Sequence, residues 1–183
     1  RSHSNAAQGG INAALTDRGD DWEEHGYETV KGSDYLGDQD AIEILAEEAG
    51  GEIITLEHMG VIFSRNEEGY LGTRRFGGQQ RARTFFVSDF TGQALLHVMF
   101  EQLLKSGIRV LDEWFVTSLV APEGICTGVT ALEMRTGQLH TVGARSVILA
   151  TGGLGRVFEP STNGLICTGD GMSLGYRVGA PLM

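Results

Sequence analysis

The sequence predicts an α/β fold that combines a parallel sheet with an antiparallel β meander, and three observations carry that expectation. Ser146-Val147-Ile148-Leu149-Ala150 is apolar without alternation, as in a strand buried on both faces, and it runs straight into Thr151-Gly152-Gly153. Three short β-type runs, Trp114 to Val120, Gly128 to Met134 and Leu139 to Val142, are parted by turn residues such as Arg135-Thr136-Gly137-Gln138. Apolar stripes at helical spacing fill much of the chain before them.

In chain order, Asp40 with Glu43 resembles a capping box, and Ile42, Leu45, Ala46 and Ala49 form the apolar stripe of a helix from about Asp40 to Glu48. Gly50-Gly51 predicts an interruption. Ile53, Ile54, Leu56 and Met59 then predict a second helical piece that closes at Gly60. From Arg65 to Arg83 periodicity is lost; the stretch holds Gly69, Gly72, Gly77, Gly78 and five arginines and reads as a long loop. Of these arginines, Arg74, Arg75, Arg81 and Arg83 either face a dicarboxylate or partner subunit or, the simpler reading, lie on a solvated loop. Thr91 as N-cap, an apolar stripe through Ala94, Leu95, Val98, Met99 and Leu103, and Lys105 with Gly107 at the end predict the clearest helix. A strand over Ile108 to Leu111 leads into the meander, the Val147 to Ala150 strand follows, and Met172, Leu174 and Val178 mark a last helix.

With 183 residues, 41% of them hydrophobic and 21% charged, the chain suits one compact domain. Its 27 glycines lack any collagen period and point to many tight turns. A formal charge of -10 repels phosphate backbones and excludes nucleic acid as an expected partner. Cys126 and Cys167 stand apart from each other and from any histidine at metal-ligand spacing, so neither a metal site nor a disulfide framework is expected; both read as buried small hydrophobes. No apolar run approaches the ~18 residues needed to cross a bilayer. The chain opens on Arg1 and stops at Met183, and it is expected to be a segment of a longer protein.

Three places offer bare backbone to a ligand. Thr151-Gly152-Gly153 at the carboxyl end of a buried strand is where ligands of open α/β sheets bind, although a tight turn has the same spacing. Thr168-Gly169-Asp170-Gly171 opens a helix, where Asp170 would accept from a hydroxyl and repel a phosphate, or serve as a plain cap. Ala6-Ala7-Gln8-Gly9-Gly10-Ile11-Asn12 permits close approach to a flat ligand or close helix packing. His3 lies just before it, within Arg1-Ser2-His3-Ser4.

These strings, together with Thr29-Val30-Lys31-Gly32-Ser33-Asp34, Arg75-Phe76-Gly77-Gly78-Gln79, Thr91-Gly92 with Leu95-Leu96-His97, and Gly155-Arg156, resemble in order the flavoprotein subunit of succinate dehydrogenase and of fumarate reductase. The resemblance implies a partial FAD-binding, Rossmann-like domain over residues 1–183. It implies that the Gly-x-Gly-x-x-Gly turn precedes the segment, and that the substrate-capping region with its substrate-clamping histidines and proton-shuttling arginine follows it. No catalytic residue is therefore assigned here, and the segment alone is expected to be inactive. The resemblance makes His3 the covalent anchor of the flavin 8-methyl group, flanked by Ser2 and Ser4. It sets Gln8, Gly9 and Gly10 against the flavin, Ala150, Thr151 and Gly152 on the adenosine side, and Asp170 as an acceptor from the cofactor.

The implied activity is oxidation of succinate to fumarate, or the reverse, with a dicarboxylate substrate and electrons passed to an iron-sulfur subunit held by membrane anchor subunits. That implies peripheral attachment at the cytoplasmic face of a prokaryotic inner membrane, or the matrix face in mitochondria. Phe90 stands where the family usually has arginine, and the Arg81 to Val87 loop differs from its pattern. An enzyme similar to L-aspartate oxidase, which holds flavin without a covalent bond, and a noncatalytic nucleotide-binding module are the alternatives.

Overall fold

Two aspartates start the first two helices of the computed structural model, which describes residues 2–182. The Asp21 carboxylate accepts from the Glu23 N–H at 2.8 Å and opens α1 (Trp22–Gly32); Asp38 accepts from the Ala41 N–H at 3.2 Å and opens α2 (Gln39–Met59). Each satisfies a first-turn N–H that has no intrahelical partner and complements the helix dipole. The α2 cap thus lies two residues ahead of Asp40. The sequence reading has no counterpart of α1, because this helix turns carboxylates rather than an apolar stripe toward the protein.

α2 runs unbroken through the glycine pair that predicts an interruption. Gly50 is buried, and a Cβ there would stand 2.8 Å from the Ala14 carbonyl oxygen. The missing side chain lets the Ala14 backbone lie on the helix, where Ala46 and Ile53 are buried on either side. Gly60, at a left-handed φ of 118°, ends the helix where expected. α3 (Thr91–Lys105) keeps its expected bounds, but Phe90 is its N-cap residue. The buried Thr91 hydroxyl instead accepts from the Val87 N–H at 3.0 Å.

Strands β1 (Ile11–Asn12), β2 (Thr73–Arg74) and β3 (Thr84–Phe85) form an antiparallel sheet in the order β1-β3-β2. β2 lies inside the stretch read as loop and β3 directly follows it, since two-residue strands carry no readable period. Phe85 joins Ala13, Ile53, Val61, Phe63, Leu71 and Val87 in the core, meeting the Phe63 ring edge to face at 6.3 Å. All of this lies in one compact unit, residues 4–107.

The other unit comprises residues 108–182 with residues 2–3. Its meander is as expected: β4 (Trp114–Val120), β5 (Gly128–Glu133) and β6 (Gln138–Gly143) are antiparallel neighbours, with Val116, Ala131 and His140 in register and a bulge before Ser118. α4 (Asp170–Arg177) packs beside β4. The fold is mixed α/β, and every ladder among the described residues is antiparallel. Neither 108–111 nor 146–150 is a strand, and Ile148 is 90% exposed rather than buried. An apolar run supplies side chains for a sheet but not the neighbouring ladder that makes it a strand. Cys167 is buried, whereas Cys126 is only half-buried. Among the described residues no helix is long and apolar enough to cross a membrane.

Candidate functional site

The segment around Gln8-Gly9-Gly10 is shaped by what grips it. The first turn of α3 approaches so closely that a Cβ on Gly92 would overlap the Ser4 carbonyl oxygen, and the Gly92 N–H donates to the Ala7 carbonyl at 2.8 Å. Thr91 Oγ1 lies 3.5 Å from the Gln8 carbonyl oxygen, as donor. From β2, Arg74 Nη2 donates to the carbonyls of Gln8 and Gly9, both at 2.6 Å, and Nε donates to Gly9 at 3.1 Å. The guanidinium is backed by the Phe86 ring, whose centroid is 4.3 Å from Cζ. Phe76 lies over Gly9, 3.1 Å from where a Cβ would be, and Gly10 has φ 120° with its α-carbon against the Phe85 carbonyl. The outcome is a stretch of backbone held from several sides with no side chain on its two central residues.

Within the other unit, the Gly164 N–H donates to His3 Nδ1 at 3.1 Å. The exposed His3 is therefore fixed through one ring nitrogen, and among the described residues Nε2 has no partner. Ser4 belongs to residues 4–107 and starts a short 3-10 turn, Ser4–Ala6, while Ser2 is half-buried beside His3. Ala150, Thr151 and Gly152 are exposed. Their loop meets the start of α4: the Gly169 N–H donates to the Gly153 carbonyl at 3.2 Å, and Gly171 lies directly under the Thr151 side chain. Thr168 Oγ1 donates to Asp170 Oδ2 at 2.5 Å, so Asp170 is aimed by its neighbour rather than left as a bare cap. His3, Ala150, Thr151, Gly152 and Asp170 share one unit; Gln8, Gly9 and Gly10 belong to the other.

The loop arginines divide sharply. Arg83 is 1% exposed, with Nη2 3.0 Å from Asp20 and Nη1 3.1 Å from Glu28; the latter contact is an ion pair without hydrogen-bond geometry. Arg81 donates to Glu24 at 2.8 Å and to the Gly19 carbonyl at 2.7 Å. Glu24 and Glu28 share a face of α1 one turn apart, so the loop is latched to that helix by charge. The solvated-loop reading therefore holds for Arg75 alone, which has no partner among the described residues and lines a cavity of about 380 Å³ with Arg18, Thr73 and Phe85. Buried His25 sits inside this latch. Burial holds its imidazole below the ordinary 6.5, the Arg83 charge adds to that, and Asp20 and Glu28 oppose it.

Sequence reasoning missed Arg74, Gly164 and the latch as parts of the site. Asn163-Gly164 is a turn dipeptide, but nothing local ties it to a histidine so distant in the chain.

The family model described as FAD binding domain matches residues 1–183. The chain is 48% identical to the fumarate reductase flavoprotein subunit of Mycobacterium tuberculosis H37Rv, over all of this chain and 31% of that protein. It is 47% identical to the succinate dehydrogenase flavoprotein subunit of Rickettsia conorii, over 100% of this chain and 32% of that protein. Among solved structures, a chain of E. coli quinol fumarate reductase matches 97% of this chain with a TM-score of 0.91 and 39% identity, over 30% of its own length. The Sdh1 complex of Mycobacterium smegmatis matches 98% of this chain with a TM-score of 0.89 and 31% identity, over 33% of its own length. The chain thus spans about a third of the length of these relatives.

Proposed function

Because the chain belongs to the FAD binding domain family, we propose that it is the cofactor-holding part of a flavoprotein dehydrogenase that interconverts succinate and fumarate. Residues 1–183 form part of its FAD-binding domain, and the parallel sheet expected around Val147 to Ala150 is completed by polypeptide outside them. The similarity to succinate dehydrogenase and fumarate reductase flavoprotein subunits over the whole chain supports this reading.

The residues present fit a flavin. The Cβ positions of Gly9 and Gly10 face Phe76 and the Phe85 carbonyl, so Gln8-Gly9-Gly10 offers bare backbone to a ring on its other side. Ala150, Thr151 and Gly152 lie on an exposed loop for the adenosine half, and Asp170, oriented by Thr168, accepts from a cofactor hydroxyl. When bound, the flavin supplies the two-electron chemistry, and the protein supplies orientation and electronics. Ser2 and Ser4 flank the anchor.

The observation that carries the covalent assignment is the hydrogen bond from the Gly164 N–H to His3 Nδ1. A neutral imidazole substituted at Nε2 keeps its lone pair on Nδ1, so this N–H matches the linked product and holds the ring for it. His3 is thus assigned the bond to the flavin 8-methyl carbon. Electrons pass to an iron-sulfur subunit held by membrane anchors, and the protein attaches peripherally, on the cytoplasmic face in a prokaryote or the matrix face in a mitochondrion.

The test uses the intact protein, assembled with its partners, and its His3→Ser variant. Wild type should carry flavin fluorescence on the polypeptide after acid precipitation. The variant should bind flavin yet release it in acid, keep fumarate reduction and lose most succinate-dependent dye reduction. Release from the wild type would sink the covalent assignment and favour an enzyme similar to L-aspartate oxidase.

A further inference from the structure

Resting on the flavin reading above, we propose that Arg74 is a positioning residue for the flavin. By drawing two consecutive carbonyls to one side, it presents the N–H groups of Gly9 and Gly10 on the other as a paired donor to the ring. The Gln8 carbonyl and the Gly9 N–H belong to one trans peptide plane, and the Gly9 carbonyl and the Gly10 N–H to the next; in each plane the two groups point in opposite directions. Both carbonyls are engaged by one guanidinium, at 2.6 Å from Nη2. Both N–H groups therefore face away from Arg74, and among the described residues neither has a hydrogen-bond partner.

Adjacent free amides of this kind make a small electropositive concavity suited to an acceptor or a developing negative charge. A guanidinium on the carbonyl side polarises each peptide further, so the amides act as stronger donors than neutral peptide would. Arg74 is built for the task. Its place on β2, opposite Thr84, and the Phe86 ring behind it fix the fork, and a lysine would offer only a point charge. A paired donor facing the ring favours the reduced, more negative flavin and so raises its potential. Phe76, two residues further along, covers Gly9.

The experiment measures the flavin midpoint potential of the intact flavoprotein as wild type, Arg74→Leu and Arg74→Lys. The loss of charge-assisted orientation should weaken binding of reduced relative to oxidised flavin roughly tenfold in Arg74→Leu. The lysine variant should fall between the two. A wild-type potential in the folded, flavin-loaded Arg74→Leu protein overturns the proposal, whatever its melting temperature. Should Arg74→Leu not fold, hydrogen exchange of wild type decides: the Gly9 and Gly10 amides gain protection on flavin loading if they face the ring, and unchanged exchange overturns it. A wild type that takes up no flavin overturns the flavin reading itself, whereas flavin uptake with an unshifted variant overturns only the role of Arg74.

Discussion

His25 shows how one residue couples the loop latch to pH. Its imidazole is neutral in the fold because burial and the Arg83 cation disfavour the charged form. The unfolded chain takes up a proton near the ordinary 6.5 while the folded one does not, so stability is flat above that value and declines as pH falls below it toward the lowered folded pKa. Melting temperatures of the intact protein from roughly pH 7.5 to pH 5 should therefore drop, and His25→Gln should flatten that part of the slope. An equal slope in the variant would assign the decline to carboxylates alone. At this scale the sequence was informative where a residue acts alone and silent where it acts through a distant partner. Family resemblance singles out His3, Gln8, Gly9 and Gly10 for the proposed site. The grip of Arg74 on Gln8 and Gly9 joins residues more than sixty positions apart, and no local pattern announces it.

Among the elements, α2 gives the sharpest contrast between what glycine means in a sequence and what it does in a fold. Gly50 and Gly51 look alike as a breaking pair, yet Gly50 faces the Ala14 carbonyl while a Cβ on Gly51 would meet nothing. Gly51→Ala should stabilise the protein by up to about 1 kcal/mol through helix propensity alone. Gly50→Ala should instead destabilise it by about 1–3 kcal/mol, because the added methyl group meets backbone that cannot turn aside. Thermal denaturation of the two variants checks both signs. The same logic separates legible elements from illegible ones. α3 and the meander carry full periods and turn residues; α1 is stabilised by Asp21 capping and by ion pairs of Glu24 and Glu28, which no apolar stripe records.

At the scale of the whole molecule, the expected parallel strand is the largest difference between sequence and structure. Its composition is that of a buried strand, but a ladder depends on neighbours that this run does not meet among the described residues. The consequence concerns how the 183-residue chain behaves at high concentration. Ser146-Val147-Ile148-Leu149-Ala150-Thr151 has no charge, no proline and no glycine, is rich in β-branched residues, and leaves Ile148 90% exposed. Such a run on one copy is a template for the same run on another. Light scattering should show the chain aggregating with concentration, and Ile148→Lys should suppress this while leaving its melting temperature nearly unchanged. A segment suited to completing a sheet within one protein is thus also what makes this chain self-adhesive on its own, and a single gatekeeper charge separates the two fates.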